Sequence, residues 1–207
     1  MREELALRFV NTLAWRNAKA PQERLPDTET LLDWLADAQV VQPQPLGRAR
    51  KRGEQRKGEF EALHQQALEL REALCRLFLA RRRSSKPSSL DLHVLNRILA
   101  ASSPRIVPVS AGRRGGSAPA WRLVLSTEGP NELLAPIAWS AAELLTGPRA
   151  KRVRQCEDDR GCGAMFLDHS RLNNRRWCSM GDCGNRAKAR RHYLRKKKAS
   201  AAERRLG

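Results

Sequence analysis

Four of the five cysteines lie in the C-terminal third of the chain, and thiolates at short spacing are strong metal ligands. Cys156 and Cys162 form one pair, with five residues between them, and Cys178 and Cys183 form the other, with four. Each pair can present two sulfurs to one ion, and four sulfurs close a tetrahedral site. The spacing therefore predicts one Zn²⁺ ion per chain.

Three other fates of these cysteines stay open: disulfide bonds, free buried thiols and an iron–sulfur cluster. Disulfides suit oxidising compartments, whereas the first residues, MREELALRFVNTL, carry glutamates early and do not resemble a secretion signal. Free thiols usually lie among apolar residues, but Asp, Arg, Asn and Gly surround these four. The composition favours zinc and a cytoplasmic protein.

The positive charge of the chain is concentrated around the cysteines. The net charge is +18, and residues 149–207 hold 18 Lys and Arg against 6 Asp and Glu, while residues 1–148 hold 22 against 16. Counterion release would drive the binding of so basic a module to a polyanion. A solubilising surface is the simpler interpretation, but such surfaces usually intersperse both signs. The charge predicts a nucleic-acid partner.

Two groups of residues are predicted to contact nucleic acid. The loop between the cysteine pairs contributes Arg171, Arg175 and Arg176. The segment after Cys183 has good helix formers and no proline, and it contributes Asn185, Arg186, Lys188, Arg190, Arg191 and Arg195.

Helical spacing places the residues of the segment after Cys183 on different faces of the predicted helix. It aligns Lys188, Arg191 and Arg195 in one stripe and places Ala189 and Tyr193 roughly opposite, where they are expected to pack on the metal module. Asn185 and Arg186, nearest the helix start, are candidates for contacts to base edges. A capping role suits Asn185 equally well.

The residues around the cysteines resemble the CGNR zinc-finger family, which is named after a tetrapeptide found here as Cys183-Gly184-Asn185-Arg186. Phe166-Leu167-Asp168 and Arg175-Arg176-Trp177-Cys178 also match the family pattern, and the resemblance covers about residues 150–195. The gap between the first two cysteines is one residue longer than the pattern. The resemblance implies a zinc-binding module.

The preceding residues predict amphipathic helices. Apolar periodicity places helices over 2–16, over 28–38, in a long segment ending near Arg82, after a cap at Ser88 or Ser89, and over 131–146. Two β-rich runs, 105–109 and 121–125, predict a hairpin. Residues 42–58 mix Pro, Gly and basic residues without periodicity, which predicts an exposed loop.

Together these elements predict a mainly α (α+β) protein. A helical domain of about five helices with a small β-hairpin occupies residues 1–148, and it is expected to fold without metal because long amphipathic helices supply its core. A small C-terminal zinc module of cysteine loops with a basic helix occupies 149–198. A disordered tail is expected over 199–207.

The N-terminal residues resemble the ABATE domain, which usually precedes a CGNR finger. The resemblance rests on Arg8-Phe9-Val10-Asn11-Thr12-Leu13, on Leu32-Asp33-Trp34-Leu35 and on Leu95-Asn96. It implies stress-linked transcription regulation, with this domain sensing an unidentified small molecule or protein. Asn11 is the candidate ligand-binding residue, because an amide on an apolar helix face either bonds a neighbouring backbone or reaches a pocket.

The sequence argues against an enzyme. It contains no glycine-rich phosphate loop, no His-Glu helix motif and no nucleophile with a local signature, and four thiolates would leave a zinc ion no open position. We expect a DNA-binding transcription regulator whose partner is double-stranded DNA, with no membrane association. An RNA- or ribosome-associated zinc protein and an adaptor with a purely structural finger are the alternatives, since phosphate contacts do not separate DNA from RNA.

Overall fold

A computed structural model describes residues 4–39, 56–101, 103–110, 117–124 and 130–206. Within these ranges the α-helices are α1 (Leu5–Val10), α2 (Thr28–Asp37), α3 (Lys57–Arg82), α4 (Ser89–Ala100), α5 (Ala135–Thr146) and α6 (Asn185–Leu206). Three antiparallel pairs of strands join β1 (Leu13–Ala14) to β2 (Gln22–Glu23), β3 (Ser103–Ser110) to β4 (Ser117–Val124), and β5 (Val153–Gln155) to β6 (Met165–Leu167). The predicted mainly α fold is confirmed.

Polar caps fix the starts of two helices. Asp27 caps α2, which begins at residue 28 as predicted, and its carboxylate accepts a bond from the Thr30 backbone N–H at 2.9 Å. Ser88 caps α4 and accepts a bond from the Asp91 N–H at 3.5 Å. Both side chains satisfy amide donors that the first helical turn leaves without partners.

The first helix is shorter than the sequence predicts. Hydrophobic spacing suggests a helix over residues 2–16, but α1 ends at Val10. The Thr12 hydroxyl donates a hydrogen bond to the Phe9 carbonyl at 2.7 Å, and Trp15 has a φ of 52°, in the left-handed region. The chain therefore turns out of the helix into β1, and residues 15–18 form a turn.

One hydrophobic core joins the helices to the start of the cysteine-rich segment. The helix α3 runs through it with buried side chains that include Leu63, Leu70 and Leu74, and α1, α2, α4 and α5 pack around this helix. Val153, Met165 and Leu167 from β5 and β6 belong to the same core. The predicted boundary at residue 148 is therefore not a boundary of packing, because the small cysteine-rich module cannot cover its own hairpin.

A network of ion pairs around the buried Arg71 side chain holds the β1–β2 region against α3. Arg71 is 4% exposed and donates to both carboxylate oxygens of Glu23 at 2.6 Å. Glu72 accepts from Arg71 at 3.0 Å and from Arg16. Burial acts to raise the pKa of Glu23, but the hydrogen bonds from Arg71 and from the Leu25 N–H outweigh it and lower that pKa. Pairing of this kind makes burial of the Arg71 charge tolerable.

We expect Glu23→Gln to destabilise the protein by about 2 kcal/mol at neutral pH, because it leaves Arg71 with fewer charged partners. Since the pKa of Glu23 is lowered in the folded protein, its stabilisation is complete above the ordinary value of 4.5 and is lost as the pH falls through the lowered value. Urea unfolding of both proteins from pH 7 to pH 3 would measure this. A difference in stability that does not shrink towards pH 3 would contradict the assignment.

The structure describes little of the predicted basic loop but nearly all of the predicted tail. The basic loop over 42–58 lies outside the described residues except for Arg56, Lys57 and Gly58. The helix α6 continues to Leu206 through the segment expected to be a disordered tail, because Ala, Lys, Glu and Arg are good helix formers.

Among the helices of the described ranges, none has both the length and the apolar character needed to cross a lipid bilayer.

Candidate metal centre and basic surface

The four C-terminal cysteines meet at one point. The sulfur atoms of Cys156, Cys162, Cys178 and Cys183 all lie within 4.8 Å of one another. The Sγ–Sγ distances from Cys178 to Cys162 and to Cys183 are both 3.7 Å. Zinc–sulfur bonds of about 2.3 Å in a tetrahedron separate sulfurs by about 3.8 Å, so the cluster fits a Zn²⁺ ion.

The chemistry of the thiols also favours a cation. Hydrogen bonds from Cys162 and Cys178 lower the pKa of Cys156, whereas burial raises the pKa of Cys183. Repulsion between neighbouring thiolates opposes the ionisation of all four thiols at once without a cation. A divalent cation at the centre would allow all four sulfurs to ionise, as structural zinc does.

Short elements deliver the cysteines to the cluster. Cys156 directly follows β5, and its N–H donates to the Ala164 carbonyl at 2.8 Å, so it extends the β5–β6 hairpin. Cys162 lies on the hairpin loop. Cys183 lies in one turn of π-helix, Met180–Gly184, which leads directly into α6. A bound ion would therefore link the hairpin to the start of the basic helix.

Asp168 orders the loop between the two cysteine pairs. Its fully buried carboxylate accepts bonds from the backbone N–H groups of Ser170 and Arg175, both at 2.8 Å. The Arg175 guanidinium donates to the carbonyls of Trp177, at 2.8 Å, and Cys178. The donors of Arg175 thus hold the backbone next to a cysteine ligand.

Arg186 connects α6 to the cluster. Its guanidinium donates to the Sγ of Cys183 at 2.9 Å and to the carboxylate of Asp158 at 3.0 Å, and it also pairs with Asp182. The Asp158 side chain is fully buried. Burial acts to raise the pKa of Asp158, but bonds from the Arg160 N–H and from Arg186 lower it overall. Arg186 therefore supports the metal ligands from outside, as partners of ligands commonly do.

The turn at residues 15–18 docks on the loop between Cys156 and Cys162. The N–H of Arg16 donates to the Cys162 carbonyl at 3.2 Å, and that of Asn17 to the Gly161 carbonyl at 3.0 Å. A Cβ atom at Gly161 would lie 2.5 Å from the backbone of Ala18, and Gly161 has a φ of +95°. Only glycine accommodates this contact and this backbone conformation.

Asn11 forms a second link between the helical core and the cysteine-rich module. Its amide donates to the Met165 carbonyl and accepts from the Met165 N–H, both at 2.8 Å. Asn11 thus completes the open edge of β6, so the backbone alternative raised by the sequence is the one observed. The bonded strand lies 154 residues further along the chain.

We expect Asn11→Ala to destabilise the protein by about 2 kcal/mol, because the variant leaves the N–H and the carbonyl of Met165 without their partner. Asn11→Asp should cost a similar amount, since it keeps the acceptor but loses the donor. Chemical unfolding of the zinc-loaded proteins would measure both. Equal stability of Asn11→Ala and the wild type would show that the two bonds contribute nothing.

The nine predicted nucleic-acid residues fall into three structural groups. The donors of Arg175, Arg186 and Asn185 are used within the protein, Asn185 donating to the Gly181 carbonyl at 3.0 Å. Two others are exposed but paired with acids, Arg176 with Glu157 at 2.7 Å and Arg190 with Asp159 at 2.9 Å. The remaining four are exposed: Arg171, Lys188, Arg191 and Arg195.

The loop and the helix bring two of these arginines together. The guanidinium carbons of Arg176 and Arg191 lie 5.3 Å and 5.9 Å from the centre of the Trp177 ring, within range of cation–π attraction. Trp177 and Phe166 pack against the buried cysteines and belong to the small core around the cluster. Trp177 therefore joins the metal centre to the basic surface.

One expectation about α6 is wrong. Ala189 and Tyr193 were expected to pack on the metal module, but both are exposed, Tyr193 to 63%. The helix begins in the π-helical turn, and its contacts with the module come from the first turns, through Arg186, Arg190 and Arg191. The rest of α6 projects away from the module, so Tyr193 has no surface to cover.

Sequence reasoning missed the contacts made by Trp15 and Arg16. The guanidinium of Arg186 lies 5.3 Å from the Trp15 ring, and that of Arg160 lies 5.9 Å from it. A tryptophan at the end of an amphipathic pattern gives no signal of a partner far away in sequence. The two glycines of the cysteine loop, Gly161 and Gly163, were the signal in the sequence. Both adopt a positive φ, and glycine often stands where another backbone approaches closely.

The fold and the site define a helical protein with a C-terminal zinc-finger module docked on its core. Residues 3–148 match the ABATE family model, described as "Putative stress-induced transcription regulator", and residues 152–196 match the CGNR zinc finger. The chain therefore belongs to the ABATE family, with the finger following it in the predicted order. Neither description names an enzymatic activity. A search of curated proteins found no match to the chain.

Proposed function

We propose that this protein is a zinc-dependent transcription regulator that binds double-stranded DNA through its C-terminal module. The observation that carries the proposal is the meeting of Arg176 and Arg191 at Trp177, beside the cysteine cluster. Basic side chains from the interpair loop and from α6 thus share one surface, and a bound metal would fix the two elements relative to each other. Rigid placement of cations lowers the entropic cost of binding phosphates.

The proposed DNA surface consists of exposed basic residues of the interpair loop and of α6. These are Arg171, Arg176, Lys188, Arg190, Arg191 and Arg195. Arg190 and Arg176 would exchange an exposed acid for a phosphate, which costs little because exposed ion pairs are weak. In this proposal Arg175 and Arg186 act mainly as positioning residues, because their donors hold the backbone and the Asp158 carboxylate.

The helix α6 suits a DNA groove in shape as well as in charge. It has 22 residues, about 33 Å at 1.5 Å per residue, and the part beyond its first turns projects from the module. The major groove of DNA admits an α-helix, whereas the deep and narrow major groove of an RNA duplex does not. This difference favours DNA over RNA as the partner.

Fluorescence anisotropy with labelled duplexes tests the proposal. The zinc-loaded protein should bind a DNA duplex of mixed sequence with a steep salt dependence, and an RNA duplex of the same sequence more weakly. Treatment with a zinc chelator should remove the DNA binding. Tighter binding of the RNA duplex would favour the RNA-associated alternative, and no binding to either duplex would favour the adaptor. The cytoplasmic location and the sensing role of the helical domain stay predictions.

A further inference from the structure

A cleft lies at the surface of the helical domain, between the start of α2 and the first turns of α3. Its volume is about 730 Å³, enough for a small organic ligand. The described residues that line it are Pro26, Asp27, Thr28, Glu29, Leu32, Lys57, Phe60, Glu61, His64 and Gln65. None of them belongs to the metal centre or the basic surface.

His64 is the buried polar group in this cleft. It is 8% exposed, and its Nε2 lies 2.9 Å from the Leu25 carbonyl oxygen. Because a carbonyl oxygen only accepts, Nε2 carries the hydrogen of this bond, and in the neutral ring Nδ1 is left as an acceptor. His64 lines the cleft, so a donor bound there can reach this ring.

The described lining of the cleft is acidic, whereas the protein as a whole is basic. Among the described residues that line it, Asp27, Glu29 and Glu61 carry carboxylates and Lys57 carries an ammonium group, although the net charge of the chain is +18. Lys57 lies 4.0 Å from Glu61, and its side chain is 86% exposed, so this pairing is weak. Phe60 and Leu32, each 5% exposed, supply an apolar floor.

We propose that this cleft binds a protonated organic amine and is the effector site of the helical domain. The ammonium group would donate a hydrogen bond to His64 Nδ1 and lie among the carboxylates, while its hydrocarbon part would cover Phe60 and Leu32. This inference rests on the proposed sensing role, but it is independent of DNA binding. The helix α3 runs from the cleft, at Lys57, to Arg82, which contacts Glu157 of the metal module at 3.3 Å.

Histidine NMR on the zinc-loaded full chain tests the inference directly. The chain has four histidines, and the Cε1–H signal of each can be followed during a titration with 1,4-diaminobutane at constant ionic strength. A saturable shift is expected at His64 only. Tetraethylammonium carries a charge without N–H donors, and it should give no such shift. No saturable shift at His64 with the diamine, or an equal shift with tetraethylammonium, would overturn the proposal.

Two charge-matched variants separate the cleft from general electrostatics. Glu61→Gln removes a lining carboxylate and should weaken diamine binding about tenfold, the effect of one hydrogen bond to a charged group. Glu59→Gln removes an exposed carboxylate that does not line the cleft, and it should leave the affinity within about twofold. Equal weakening in both variants would overturn the proposal. Failure of the amine to bind while the DNA duplex still binds would refute the cleft inference alone.

Discussion

Cys183→Ser should release the metal and disrupt the module that carries the basic surface. Losing an outer partner of a metal ligand commonly costs about 10–100-fold in metal affinity, so losing a ligand should cost more than about 100-fold. Cys183 also lies in the π-helical turn before α6 and accepts the bond from Arg186. Elemental analysis after dialysis against a chelator should find one zinc per wild-type chain and far less than one per variant chain.

The buried cysteine of α3 provides the control for this experiment. Cys75 is 4% exposed and lies outside the cluster, so Cys75→Ser changes the same atoms without touching the site. It should keep one zinc per chain. If Cys183→Ser retained stoichiometric zinc through the same dialysis, the four-sulfur site would be wrong.

Replacing the exposed stripe of α6 should weaken DNA binding strongly. Each phosphate contact contributes about 0.9 to the slope of log K against log salt, so Lys188, Arg191 and Arg195 together contribute about 2 to 3. The triple alanine variant should therefore bind about 100-fold more weakly near 0.1 M salt. Its zinc content should be unchanged, because all three side chains are exposed and none donates to a cysteine.

A matched variant removes three charges at a distance from the module. Arg56 and Lys57 start α3, and Arg97 lies on α4. The helix α3 has 26 residues, about 39 Å, and its other end contacts the module. The triple alanine variant at these positions should keep the slope of the wild type. A fall in slope equal to that of the α6 variant would mean that net charge, not the α6 surface, determines binding.

Local patterns in the sequence were sufficient for most helices and for the metal ligands. The four cysteines, the apolar spacing along α3 and the proline-free segment after Cys183 each carry their signal within a few residues. The end of α1 was missed because it depends on the turn at Trp15, whose partners Arg160 and Arg186 are distant in sequence.

Contacts between the two matched segments could not be predicted, and they change the expected role of the metal. The bonds from Asn11 to Met165 and from Arg16 to Cys162 join residues separated by more than 140 positions. Because β5 and β6 belong to the common core, we expect metal loss to lower the stability of the whole chain. The sequence alone had suggested an independent helical domain, since apolar periodicity cannot show what covers each face.

Crosslinking with peptide mapping tests the central claim most directly. The zinc-loaded protein would be crosslinked to a DNA duplex of mixed sequence, and the modified peptides would be identified by mass spectrometry. If the metal-ordered module binds DNA, the crosslinked residues will lie between 171 and 197, around Trp177 and along the exposed stripe of α6. Crosslinks confined to α3 and α4, with the 171–197 peptides unmodified, would contradict the account.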